Sequence, residues 1–170
     1  MTTKIDKPII RSQEAPRQII FEDYKLNGEL PITGGWGYTK DDAVIIDKND
    51  PVVPEGLPFD GVGIEYIFVE KRIYEELIIF RLLGEPYAGI VWKQLEQNLE
   101  SHDGRHYDIL SYEVTAFSES NWNELKDEWE SNNYFKDSSE GFQAHEEKRE
   151  SKMISYKTEY WFDITSFWHE

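Results

Sequence analysis

The chain has 170 residues, of which 39% are hydrophobic and 15% aromatic, which suits one domain, residues 1–170, with a single core. It carries 34 acidic side chains against 18 basic ones, a net charge of −16, so we expect it to bind neither nucleic acid nor an anionic membrane. The absence of cysteine excludes disulfides, thiolate metal sites and cysteine nucleophiles. Because the N-terminus has no apolar stretch like a signal peptide, we expect a cytoplasmic protein.

The N-terminal third of the chain contains few regular patterns. Residues 1–18 lack sustained periodicity and include two prolines, which predicts an extended or partly disordered arm. The apolar residues 19–21 favour a first short strand. After a glycine-rich turn at residues 34–37, the apolar run at 43–47 predicts a buried strand. The stretch 48–63, with three prolines, predicts a loop.

Residues 62–80 are rich in β-forming side chains. Apolar side chains alternate through residues 64–69, which favours a strand. Between residues 70 and 81 the spacing also fits a helical stripe, and periodicity alone does not distinguish the two. We favour a strand, because a turn-like Gly-Glu-Pro at residues 84–86 leads into another β-rich run.

Residues 88–117 predict a β-hairpin. Asp103-Gly104 is a strong signal for a two-residue type I′ turn, since both residue types tolerate positive φ. Centring the turn there pairs His102 with Arg105 and sets the register of the two strands. One face then collects Val91, Leu95, Leu99, Asp108, Leu110, Tyr112, Val114 and Ala116. The other face is mainly polar, so we predict that the first face lies against the core.

A helix is predicted after this hairpin. Ser118 or Ser120 can serve as its N-cap, and Trp122, Leu125 and Trp129 lie at i, i+3 and i+7 on one apolar stripe. A polar loop follows at residues 131–141.

The C-terminal part predicts a short charged helix at residues 145–151 and then a strand at 154–164, where apolar and polar residues alternate. Together these elements predict an α+β fold. It would be a mainly antiparallel meander or curved sheet with one or two short helices packed on it. The strand order is left open.

The segment His102-Asp103-Gly104-Arg105-His106 contains two histidines four residues apart. In the predicted hairpin they point to opposite faces, and side chains on opposite faces cannot share one small ion. The acidic residues after 47 begin like a calcium loop, but Pro51 and Val52 occupy positions that need a ligand and a glycine. We therefore predict no metal site, no cofactor and no catalytic residue.

The charge pattern favours a binding protein with a basic protein partner, in its sharpest form an immunity-type inhibitor that blocks the cationic cleft of a toxic nuclease. Residues 119–130 hold five acids against one lysine, and residues 41–60 hold six against one. The candidate partner-binding residues are Glu119, Glu124, Asp127, Glu128, Glu130, Asp41, Asp42, Asp47, Asp50, Trp36 and Trp161.

Two alternatives remain. One is a small hydrolase that uses carboxylates and a histidine, for which His102, Asp103 and His106 are the residues to test. The other is a structural or assembly subunit. Its tyrosine-rich C-terminal strand would form the seam of a homodimer.

Overall fold

A six-stranded, mostly antiparallel sheet and four α-helices make up the protein in a computed structural model that describes residues 1–169. The strands are β1 Thr3–Lys4, β2 Ile32–Gly34, β3 Val44–Ile46, β4 Tyr87–His102, β5 Arg105–Ser118 and β6 Ile154–Asp163. The helices are α1 Pro16–Tyr24, α2 Gly61–Tyr74, α3 Glu119–Ser131 and α4 Ser139–Lys152. The predicted α+β class is confirmed. Within the described residues, no helix has the length and apolar character to cross a membrane.

The sheet has the order β2-β3-β6-β5-β4, and β1 pairs with the beginning of β6. The long strands β4, β5 and β6 are antiparallel, while β1 and β3 run parallel to β6 near its two ends. Since β6 lies inside the sheet, its Tyr156 and Tyr160 are buried in the core. These tyrosines are not available as the homodimer seam that the sequence suggested.

The predicted hairpin of β4 and β5 is confirmed. Asp103 and Gly104 form its turn with φ of 51° and 80°, as a type I′ turn requires. The pairing follows the predicted register as far as Glu96 and Ser111, where a β-bulge at Leu95 shifts it. The turn chemistry therefore fixed the register only up to the first bulge.

The predicted apolar face is buried on β5, where Ile109 and Phe117 of the opposite face are buried as well, and it is not buried on β4. Leu110, Tyr112, Val114 and Ala116 of β5 are buried in the core. Val91, Leu95 and Leu99 of β4 are exposed. β4 is an edge strand of the sheet, and its residues 95–101 are all exposed, so the core does not extend over the distal half of β4.

The strand predicted within residues 62–80 is wrong, because this segment forms α2 and a π-helical turn at Glu75–Ile79. Asp60 caps the helix by accepting a hydrogen bond from the Gly63 N–H at 2.9 Å. The buried side of α2 carries both charged and apolar side chains: Glu65, Phe68, Val69, Arg72 and Ile73. This mixture breaks the hydrophobic period from which the helix would have been recognised.

The short strand predicted at residues 19–21 is also wrong, because these residues lie inside α1. Pro16 occupies the start of the helix, where its missing N–H has no cost. Ile19 and Ile20 are buried against the core. The arm before α1 is extended at Thr3–Lys4, where β1 joins the sheet.

A fully buried arginine joins α2 to the central strand. The Arg72 guanidinium carbon lies 3.5 Å from the ring centroid of Tyr160 and 4.2 Å from that of Tyr38. Its Nη2 donates to Thr158 Oγ1 at 2.7 Å, and Nη1 donates to the Glu159 carbonyl at 3.0 Å. These contacts give the core a polar connection between helix and sheet.

The buried partner of this arginine is Glu76, whose Oε2 lies 3.3 Å from Arg72 Nε. The hydroxyl of Tyr38 donates to Glu76 Oε2 at 2.6 Å, and that of Tyr156 donates to Oε1 at 3.1 Å. Both carboxylate oxygens therefore have partners, which compensates for the loss of water around the charge.

Candidate partner-binding surface

The α3 helix, which the sequence selected as the partner surface, is held at its N-terminus by two caps. Ser118 Oγ accepts a hydrogen bond from the Asn121 N–H at 3.3 Å, which confirms Ser118 as the N-cap. Glu85 Oε1 accepts from the N–H and the hydroxyl of Ser120, at 2.8 and 2.6 Å. The loop before β4 and the end of β5 thus fix the start of α3.

The predicted apolar stripe attaches α3 to the sheet. Leu125 is buried, and the ring of Trp122 lies 5.3 Å from that of Phe117 on β5. Gly89 on β4 has φ of +60° and passes so close to Trp122 that a Cβ would come within 2.6 Å of its ring. A glycine is required at this crossing because the backbone conformation and the ring both exclude a side chain.

An aromatic cluster joins α3 to α4. The ring of Trp129 lies 5.2 Å from His145, 5.8 Å from Phe135 and 6.0 Å from Phe142. His145 is buried, and its Nδ1 lies 3.0 Å from Glu128 Oε1. The short charged helix predicted at residues 145–151 is therefore confirmed as part of a longer one, Ser139–Lys152.

We call α3 and α4 together the helical hairpin. Two of the predicted partner-binding acids form ion pairs within it. Lys148 Nζ lies 2.7 Å from Glu124 and 2.8 Å from Glu128. Hydrogen bonds from Lys148 lower the pKa of both carboxyl groups, with a contribution from His145 at Glu128. These acids hold α4 to α3, so they are less available to a partner.

Three other predicted acids form what we call the α3 ridge: Glu119, Asp127 and Glu130. Their spacing of i, i+8 and i+11 puts them within about 80° of one another around the helix. All three are exposed, and within residues 1–169 none of them forms an ion pair. On α3, these are the predicted acids that remain free to attract a cation.

A cleft of about 230 Å³ lies between the two helices of the hairpin. Trp122, Leu125 and Trp129 contribute apolar walls, and Lys126 and Arg149 line it as well. Glu146 and His145 complete the lining. Because two cations line the cleft, it suits a neutral apolar side chain better than a basic one.

The second predicted acidic block, residues 41–60, is dispersed by local structure. Asp50 is buried and paired with Arg17 Nη1 at 2.5 Å, and this partner lowers the pKa of Asp50. Asp42 accepts backbone hydrogen bonds at the start of a short turn. Asp47 accepts a hydrogen bond from the backbone N–H of the residue two positions after it. Asp41 remains exposed. Asp50 is thus removed from the candidate set, and the block does not form one acidic surface.

The two predicted aromatic anchors have different positions. Trp36 is buried, with its ring 6.0 Å from Phe68 and 6.5 Å from Phe80, so it cannot contact a partner. The expectation of an accessible Trp36 is wrong because α2, which the sequence pattern did not predict, covers it. Trp161 is half-buried, 5.8 Å from the ring of Tyr107 near the hairpin turn.

The histidines at the turn lie on opposite faces, as the register predicted. His102 is 6.4 Å from the ring of Trp161, whereas His106 stacks on Trp168 at 4.5 Å. Ser101 Oγ lies 2.8 Å from His106 Nδ1, but the serine is exposed on the hairpin. Within residues 1–169, no group of three histidine, aspartate or glutamate side chains could hold a metal ion.

Sequence reasoning missed a buried pair of carboxyl groups between α2 and β5. Burial, a hydrogen bond to Asp108 and the charge of Asp108 raise the pKa of Glu65 to about 10. Gln97 Nε2 donates to both oxygens of Asp108, at 2.9 and 3.0 Å. The two residues are far apart in the chain and no local pattern connects them. Both are buried, at 2% and 4% exposure, so a substrate has no access to the pair.

Comparison with known proteins identifies no relative: no protein family, no curated protein and no solved structure matches the chain. The function is therefore inferred from geometry and charge. The helical hairpin and its α3 ridge carry that inference.

Proposed function

We propose that this protein is an acidic binding module that captures a basic protein partner. The observation that supports the proposal most directly is the α3 ridge, where three exposed carboxylates share one side of a helix without an ion pair. The rest of the chain adds to their potential, because the net charge is −16. A field of this sign accelerates the approach of a cationic surface and opposes an anionic one.

The sharper version of the proposal is an immunity-type inhibitor. A nuclease that cleaves nucleic acid presents a cationic cleft to the phosphates of its substrate. Carboxylates on a rigid helix can occupy the positions of those phosphates. The caps on α3 and its packing through Trp122 and Trp129 hold the α3 ridge in place before binding, which reduces the entropy lost on association.

The first experiment is capture of partners on the immobilised full-length chain from an extract of its source cells. The proposal requires a basic partner whose association rate falls steeply as salt is raised, because screening acts on long-range attraction. A toxin gene beside the gene for this protein would support the inhibitor version. A partner with no excess of basic residues would contradict the proposal.

The second experiment assigns the surface. The α3 ridge is neutralised in a triple variant, Glu119→Gln, Asp127→Asn and Glu130→Gln. We expect slower association and a weaker salt dependence, with the dissociation rate changed less.

The matched control neutralises three exposed acids outside the helical hairpin: Asp6, Glu14 and Glu55. It changes the net charge by the same amount. If the control slows association as much as the ridge variant does, the total charge and not the α3 ridge attracts the partner. In that case the assignment of the surface is wrong.

A further inference from the structure

The outer edge of β4 is an unpaired sheet edge. In the described residues β4 pairs only with β5, so its other side has no neighbouring strand. Residues 95–101 are exposed in an unbroken run, so no other described element buries this part of the strand. Edges of this kind are templates for an additional strand unless something protects them.

The register identifies which backbone groups point outward. In a two-residue hairpin the residues that flank the turn, His102 and Arg105, exchange hydrogen bonds, and this alternates along an antiparallel pair. The residues of β4 that alternate with the hydrogen-bonded ones are Gln97, Leu99 and Ser101. They therefore direct their N–H and C=O groups away from β5. They provide a regular set of donors and acceptors beyond the bulge at Leu95.

The side chains beside this edge define its chemistry. Glu96 and Glu100 lie on one face of β4, while Leu99 lies on the other, because side chains alternate along a strand. Both glutamates are exposed, and Glu100 Oε1 lies 2.8 Å from His102 Nε2. The edge is therefore acidic on one face and apolar at the centre of the other.

This charge pattern disfavours pairing with a second copy of the chain. Antiparallel pairing centred on Asn98 places Glu96 opposite Glu100 of the second copy. Centring on Leu99 makes glutamates of the two copies diagonal neighbours. Like charges at these positions destabilise a sheet.

We propose that the outer edge of β4 accepts an extended basic segment of the partner as an added strand. This docking mode rests on the proposed capture of a basic partner. Lysine or arginine side chains of the added strand face Glu96 and Glu100, and its apolar side chains face Leu99. Backbone hydrogen bonds to residues 97, 99 and 101 hold it in register.

The test uses a short capped peptide in which lysine and valine alternate. A second peptide has the same sequence but is N-methylated at every other residue, so it keeps the charge and loses the backbone donors of one edge. We expect the N-methylated peptide to bind about tenfold more weakly in calorimetric titration. Hydrogen exchange should show that the plain peptide protects the amides of Gln97, Leu99 and Ser101.

A variant of the protein provides an independent check. Leu99→Pro removes one outward N–H and leaves the β4–β5 ladder intact, since proline is tolerated on an edge strand at this position. It should lose binding of the plain peptide, while Leu99→Ala, which keeps the donor and loses only side-chain contact, should bind the peptide more tightly than Leu99→Pro does. Circular dichroism establishes that both variants are folded.

The outcomes separate this proposal from the proposed function. Equal affinity for the two peptides, or unchanged binding by a folded Leu99→Pro variant, would overturn strand addition. Neither result would affect the capture of a basic partner, which the association-rate experiment decides. Strand addition would be supported if the plain peptide protected the amides of Gln97, Leu99 and Ser101 and the N-methylated peptide did not.

Discussion

The replacement Glu65→Gln should make the stability of the protein less sensitive to alkaline pH. Glu65 is buried between α2 and β5 beside Asp108, and its pKa is raised to about 10 from an ordinary value of 4.5. Between these two values the folded protein holds a proton that the unfolded chain has released. Its stability must therefore decrease as pH rises through this window.

The size of the effect follows from the proton difference. One extra proton in the folded state changes the free energy of unfolding by about 1.4 kcal/mol per pH unit. Glutamine has no proton to lose and can still donate a hydrogen bond to Asp108. From pH 6 to pH 8 the variant should therefore gain about 2.7 kcal/mol relative to the wild type.

The assay is urea unfolding of both proteins at several pH values between 6 and 8, followed by tryptophan fluorescence. Glu75, whose pKa burial and Asp23 raise to about 9, adds a slope of the same sign. That slope is present in both proteins and cancels in the difference. Glu147→Gln, on an exposed position of α4, is the control and should follow the wild type at every pH.

Parallel profiles of Glu65→Gln and the wild type would refute the reasoning. They would mean that Glu65 is ionised in the folded protein, or that water reaches it. If the variant lost stability relative to the wild type as pH rose from 6 to 8, the sign of the argument would be refuted as well.

Three further predictions concern the structure that supports the candidate surface. Arg72→Ala should lower the free energy of unfolding in urea by about 3–5 kcal/mol, because it leaves Glu76 buried without its cation. A decrease of less than about 1 kcal/mol would contradict this. Gly89→Ala should lower the melting temperature and alter the near-ultraviolet circular dichroism of Trp122, whose ring a Cβ would approach to 2.6 Å; unchanged spectra would show that the helix has room to move. Ser118→Ala should lower the free energy of unfolding by about 1 kcal/mol, because it removes the N-cap of α3. If chemical denaturation showed no decrease, the cap from Glu85 would be sufficient by itself.

Local sequence patterns predicted the elements whose own residues carry a clear turn, cap or periodicity signal. The hairpin follows from Asp103 and Gly104, whose positive φ angles need those residue types. The α3 helix follows from Ser118 and its apolar stripe, and β6 from strict alternation. For the hairpin and α3 the decisive interactions lie within a few residues or directly across a turn. The strand β6 pairs with distant strands, but its alternation is visible without them.

The helix α2 and the π-helical turn after it could not be predicted this way, because their buried side includes Arg72 and Glu76. These side chains enter the core only because Tyr38, Thr158 and Tyr160 from distant parts of the chain surround them. The buried position of Trp36 depends on the same helix. An error in one element therefore also misplaced a predicted binding residue.

The candidate surface was predicted in part. Composition determined that an excess of acid must lie on the surface, since 34 carboxylates exceed the 18 cations that could pair with them. It did not determine which acids are free. Lys148 engages Glu124 and Glu128, and Arg17 engages Asp50, through contacts that only the folded chain creates.

By itself, the sequence determined the fold class, the hairpin turn, the α3 helix and the sign of the field around the protein. These depend on local backbone preferences and on composition, which do not change when the chain folds. Only the tertiary structure decided that α2 is a helix, that β4 is an exposed edge and that the three acids of the α3 ridge have no ion pair. Burial and ion pairing depend on contacts between residues that are distant in the chain, and a local sequence pattern does not show which distant residues will meet.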